Sequence, residues 1–117
     1  MNSLLVACLC AEWCDTCCSY RVEFDALSNE FPQHRFAWID IENEAETIGQ
    51  IDVENFPTLL IGQEKTVLFA GVMLPQIGRL RRMLQSMSED PTPQLGNLAA
   101  PELNEYQTLL SRLNQNI

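Results

Sequence analysis

Five cysteines, Cys8, Cys10, Cys14, Cys17 and Cys18, are crowded near the start of a 117-residue chain that holds no others. Five is an odd number, and loops this short are poor staples for a fold. The cluster suits a reactive or metal-binding site better. Cys14-Asp15-Thr16-Cys17 is a C-x-x-C motif that follows an apolar strand pattern and opens a helical one. At a helix N-terminus, free N–H groups and the helix dipole stabilise a thiolate. Cys14 is then the attacking nucleophile of a thiol–disulfide exchange, and Cys17, one turn further on, is the resolving thiol. Cys8 reads as a small buried hydrophobe, with a third redox thiol exchanging with Cys17 as the sharper alternative. Cys18 points about 100° away from Cys17 and reads as packing. Cys10 is either packing or part of a metal site. Four of these thiolates could hold zinc, copper(I) or an iron–sulfur cluster, but the spacing is not that of a two-pair zinc site, so no metal is expected.

The elements that must position these residues follow from the apolar pattern. Ser3 to Leu9 is a continuous apolar run, the pattern of a strand buried on both faces. Tyr20, Phe24, Leu27 and Phe31 form one face of an amphipathic helix that Pro32 ends. Phe36 to Ile41 reads as a second strand and Glu42 to Gln50 as a short helix or irregular crossover. Thr58–Ile61 and Thr66–Ala70 form a hairpin across Gly62-Gln63-Glu64-Lys65. Pro75 opens a helix with Ile77, Leu80, Leu84 and Met87 on its buried face. The expected division is a domain over residues 1–87, a Pro/Gly-bearing linker over 88–100 and an amphipathic helix over 101–117. Two parallel crossovers followed by a hairpin imply a mixed α/β sheet flanked by helices.

Composition excludes other classes. At 46% hydrophobic and 20% charged the chain is neither disordered nor coiled coil. A formal net charge of −9 disfavours nucleic acid and anionic membrane surfaces as partners. The apolar start has no basic residue before it. Leu5-Val6-Ala7-Cys8 has the look of a lipoprotein processing box, but reads as a strand, and the expected compartment is the cytoplasm. His34 is read as an exposed turn residue. Arg79, Arg81 and Arg82 are placed in the last turns of a helix, complementing its dipole. The acidic run Asp40, Glu42, Glu44, Glu46, Asp52 and Glu54 is read as a solvated face.

Ala11-Glu12-Trp13-Cys14-x-x-Cys17, the strand Ile39-Asp40-Ile41, the segment from Val53 through Phe56-Pro57-Thr58 to Ile61, and Gly71 together resemble the thioredoxin family over roughly Ser3 to Gln85. The resemblance implies a thioredoxin-like mixed sheet of about four strands. It also implies that Pro57 is a cis-proline facing the cysteine pair, and that Trp13, Phe56 and Pro57 bind the substrate. Substrates would be protein or small-molecule disulfides, a separate reductase would restore the dithiol, and no cofactor is expected. Several positions depart from the family pattern. Asp15-Thr16 replaces Gly-Pro, and an anionic Asp15 disfavours the neighbouring thiolate, giving a more reducing couple. Cys8 and Trp38 stand where the family has a buried aspartate and its lysine, and Cys10 stands at a tryptophan position. The family's first strand and helix find no counterpart, and the helix over 101–117 is expected to fold back over the face that the family's first helix covers, giving a monomer, with a weak dimer through that helix and a frayed tail as the alternatives. The expected function is a thiol–disulfide reductase, with a redox-inactive interaction module and a thiolate metal-binding protein as rivals.

Overall fold

The computed structural model describes residues 3–49, 51, 53, 55–96 and 98–115. Gln50, Asp52, Glu54 and Ile117, which entered the expectations above, lie outside them. Eight elements follow one another: β1 (Leu5–Cys10), α1 (Asp15–Glu30), β2 (Arg35–Asp40), α2 (Ala45–Ile48), β3 (Thr58–Gln63), β4 (Thr66–Val72), α3 (Ile77–Glu89) and α4 (Ala100–Gln115). The strands form one sheet in the order β2-β1-β3-β4. β1 is parallel to β2 and antiparallel to β3, and β3 and β4 make the hairpin. This is the mixed four-stranded sheet that the sequence implies, with an additional C-terminal helix, but it holds one parallel crossover, β1–α1–β2, rather than the two expected, because β3 returns antiparallel to β1.

Strand geometry divides the core. Successive side chains of a strand point to opposite faces. Leu4, Val6, Cys8 and Cys10 therefore join α1 and α3 on one face, with Tyr20, Phe24, Leu27, Leu80 and Leu84. Leu5, Ala7 and Leu9 join α2 and α4 on the other, with Ile39, Ile48, Tyr106, Leu109 and Leu110. Every residue of β1 is buried, because both of its faces are covered. α4 lies so close to β3 that a Cβ on Gly62 would come within 2.7 Å of both terminal methyls of Leu110. Arg112, near the end of α4, donates from Nη1 to the carbonyls of Glu46 and Thr47 in α2. The segment before α4 is itself anchored: the Gln94 N–H donates to the Leu68 carbonyl of β4, and Leu95 and Leu98 pack on the second core.

Four local readings are corrected. α3 begins at Ile77 rather than Pro75 and runs through Ser88 and Glu89, which the linker reading had claimed. Arg79, Arg81 and Arg82 consequently sit in its first half, where they do not complement the dipole. Arg81 instead pairs with Glu30 of α1 at 2.8 Å. His34 is buried rather than exposed, 6% accessible and stacked on Phe31. The Leu4 N–H donates to its Nδ1, and its Nε2 lies 2.7 Å from Ser88 Oγ. A histidine after Phe31-Pro32 looks like a turn residue, but the turn folds under the start of β1 and the end of α3. Cys18 is exposed rather than packed, its thiol donating to the Glu12 carbonyl at 3.3 Å.

Candidate active site

The site is assembled where β1 ends and α1 begins. After Cys10 the chain turns, and the Cys14 N–H donates to the Ala11 carbonyl. Cys14 is the N-cap of α1, in extended conformation, and the Cys18 N–H closes the first helical bond onto its carbonyl. The N–H groups of the first turn have no partner within the helix. Cys14 is half-buried and free. Asp15 and Thr16 are exposed at the first two helical positions.

Asp40, at the end of β2, organises the surrounding loops. Its carboxylate accepts from the N–H groups of Glu42, Asn43 and, across the loop, Glu12. The bond from Asn43, with those from Glu42 and Glu12, holds its carboxyl below the usual range against the opposing effect of desolvation. Asp40, expected in a strand and on a solvated acidic face, is half-buried and bound to backbone instead. Trp13 is 65% exposed, and its indole N–H donates to Glu42 Oε1 at 2.8 Å. Its ring also meets Phe56 edge to face, centroids 5.6 Å apart. That contact joins the cysteine loop to the loop before β3, where the Phe56–Pro57 peptide bond is cis. Pro57 is buried, and its carbonyl accepts from the Met73 N–H.

Cys17 carries the main departure from expectation. It is disulfide-bonded to Cys10, with Cα atoms 5.8 Å apart, and not to Cys14. Cys10 is therefore neither a packing thiol nor, in this state, a metal ligand. The signal for this pairing was present in the periodicities. Counting by two along β1 puts Cys10 on the same face as Val6 and Cys8, and Cys17 heads the buried stripe of α1 with Tyr20, Phe24 and Leu27. The shortness of the loop between them argued against a staple and hid the pairing.

Cys8 is free and fully buried. Burial pushes its thiol far above the ordinary range. It pairs across the sheet with Trp38, which packs on Phe24 and lies under the Arg21 guanidinium at 5.4 Å. Where the resemblance puts an acid and a lysine, the protein has a thiol and an indole in an apolar cluster. Tyr20 Oη is buried in this same cluster without a hydrogen-bond partner among the described residues. Among the described residues, no group of three or more His, Cys, Asp or Glu side chains is placed to hold a metal ion, and no helix is long and apolar enough to cross a membrane.

Comparison with known proteins agrees with the resemblance. No curated protein matches the chain. Among solved structures, a thioredoxin of Trypanosoma brucei brucei is 29% identical, with a TM-score of 0.67 over 76% of this chain and 78% of that one. The thioredoxin of Fasciola hepatica is 22% identical, with a TM-score of 0.65 over 73% of this chain and 81% of that one. Spinach chloroplast thioredoxin f, at 19% identity, shares the fold with a TM-score of 0.65 over 74% of this chain and 72% of that one. The family model described as Thioredoxin matches residues 1–73, more than half of the sequence, and the chain belongs to the thioredoxin family.

Proposed function

We propose that the protein is a thiol–disulfide oxidoreductase acting as a reductase of protein or small-molecule disulfides. Membership of the family supports the oxidoreductase class. One observation carries the finer reading: a free, half-exposed Cys14 caps α1 beside the joined Trp13 and Phe56 rings. The Cys14 thiolate attacks a substrate disulfide and expels one substrate thiol. The Cys17 thiol, free in the reduced protein, then attacks Cys14 Sγ, releasing the second substrate thiol and leaving the protein oxidised. Trp13, Phe56 and the loop carrying Pro57 receive the substrate chain. A separate reductase restores the dithiol, and a reducing compartment such as the cytoplasm suits this direction.

The test is a protein-disulfide reduction assay with dithiothreitol as electron donor. Wild type turns over, Cys14→Ser falls to background, and Cys17→Ser, mixed with the substrate without dithiothreitol, accumulates a mixed disulfide through Cys14. Background activity in the wild type overturns the enzyme reading. It would favour the interaction-module alternative, which the engagement of Cys17 by Cys10 supports.

A further inference from the structure

We propose that Cys10 is a third redox residue of this site: a disulfide formed between Cys14 and Cys17 passes on to Cys10, so that the oxidised protein rests as Cys10–Cys17 with Cys14 free. This rests on reading Cys14 and Cys17 as the exchanging pair.

Cys17 has two partners in reach. It is bonded to Cys10, and it stands three residues after Cys14 across the first turn of α1, on the same side of the helix. Access separates the roles of the three. Cys10 is 0% and Cys17 1% exposed, whereas Cys14 is open to solvent on one side. Of these three, a bulky disulfide therefore reaches only Cys14, and oxidation enters the site there. The other two thiols do not compete. Cys8 is two residues back along β1, buried and held protonated, and Cys18 points outward to the Glu12 carbonyl.

The step is an internal exchange. Cys10 sulfur attacks Cys17 Sγ, the Cys10–Cys17 bond forms, the Cys14–Cys17 bond breaks, and its electron pair leaves on Cys14 sulfur. The proton lost by Cys10 is balanced by the one taken up at Cys14. Nothing is oxidised or reduced in the exchange, because the substrate disulfide has already supplied the oxidising equivalents. Two electrons have moved from the protein to the substrate, and the nucleophile has been returned. In this state Cys14 can form a mixed disulfide with a second substrate, but Cys17 cannot resolve it. Oxidation thus turns a reductase site into a capture site, and reversal through Cys14 attack on Cys17 restores the accessible bond.

The experiment uses the full reduced chain mixed with oxidised glutathione, quenched in acid at intervals, alkylated with N-ethylmaleimide and mapped by mass spectrometry. A Cys14–Cys17 bridge is expected first, giving way to Cys10–Cys17 with Cys14 alkylated or carrying glutathione. Cys14→Ser keeps a favourable N-cap residue, and it should slow the appearance of Cys10–Cys17 at least tenfold. Cys14–Cys17 persisting as the end product overturns the relay while leaving the exchanging pair intact. Cys10–Cys17 forming as fast in Cys14→Ser as in wild type overturns it too, making the bond a staple formed independently of the site. No bridge or mixed disulfide at Cys14 at any time overturns both the relay and the pair on which it rests.

Discussion

The Trp13 indole is held between two elements: its N–H donates to the Glu42 carboxylate at 2.8 Å, while its ring edge meets Phe56. An indole with an exposed face and a fixed edge is a prepared contact surface, since little rotamer freedom is left to lose on binding. Glu42 is exposed, so Glu42→Ala should change stability by no more than about 0.5 kcal/mol. It should raise KM for a protein disulfide several-fold with little change in kcat, and alter Trp13 fluorescence. Equal losses in kcat and KM effects, or unchanged emission, would count against a positioning role.

Thiol reactivity should sort the three free cysteines. In the oxidised protein, Cys18 and Cys14 should be alkylated in the native state, while Cys8 reacts only on unfolding. Cys8 is shielded and protonated by the same burial, and only a thiolate attacks. Rapid native labelling of Cys8 would contradict its placement behind α1.

His34 links three elements, and the donors fix its tautomer. The Leu4 N–H needs an acceptor at Nδ1, so the ring proton is on Nε2 and points to Ser88 Oγ, whose own hydroxyl donates to the Leu84 carbonyl. Desolvation lowers the His34 pKa from its ordinary value. The unfolded chain therefore binds this proton more readily. Stability from His34 is complete above about pH 6.5, the unfolded value, and declines as pH falls from there through the folded value. Denaturant titrations of wild type and His34→Ala between pH 5 and 8 isolate this contribution. The wild type should lose stability on acidification relative to the variant. The variant should be about 1–3 kcal/mol less stable at pH 7.5, since the Leu4 N–H loses a buried acceptor. Parallel pH profiles would reject the assignment.

Gly62 and Leu110 should behave as a coupled pair. Leu110→Ala empties a buried site and should cost about 2–5 kcal/mol. Gly62→Ala pushes a Cβ against the Leu110 methyls and should cost about 1–3 kcal/mol. The double variant should be more stable than the sum of the two losses, because the smaller residue 110 makes room for the added methyl. Strict additivity by thermal unfolding would show that α4 does not seat there.

Much of the fold was legible because the patterns were local. The unbroken apolar run of β1, the three-four spacing of α1 and the short hairpin between Thr58 and Thr66 each carry their own period. His34 was misread because its burial depends on Leu4 and Ser88, distant in sequence and adjacent only in the folded chain. The helix start at Cys14 was legible, but the partner of Cys17 was not: the motif points to Cys14, and the bond is made to Cys10. That choice is made between a strand face and a helix face, and it requires counting both periods from a common layer. Asp40 escaped notice as an organiser because its partners are backbone N–H groups, which carry no sequence signature.

The placement of α4 also bears on how the chain acquires its structure. The second face of the sheet, with Leu5, Ala7, Leu9 and Leu60, is closed by Tyr106, Leu109 and Leu110, which belong to α4, made after every strand of the sheet. On the ribosome, the C-x-x-C loop, the β1–α1–β2 crossover and the hairpin are all made before the helix that covers half of their core. A nascent chain synthesised as far as residue 99 displays a bare apolar sheet. For that interval it is a client for chaperones and prone to self-association, and the docking of α4 ends both.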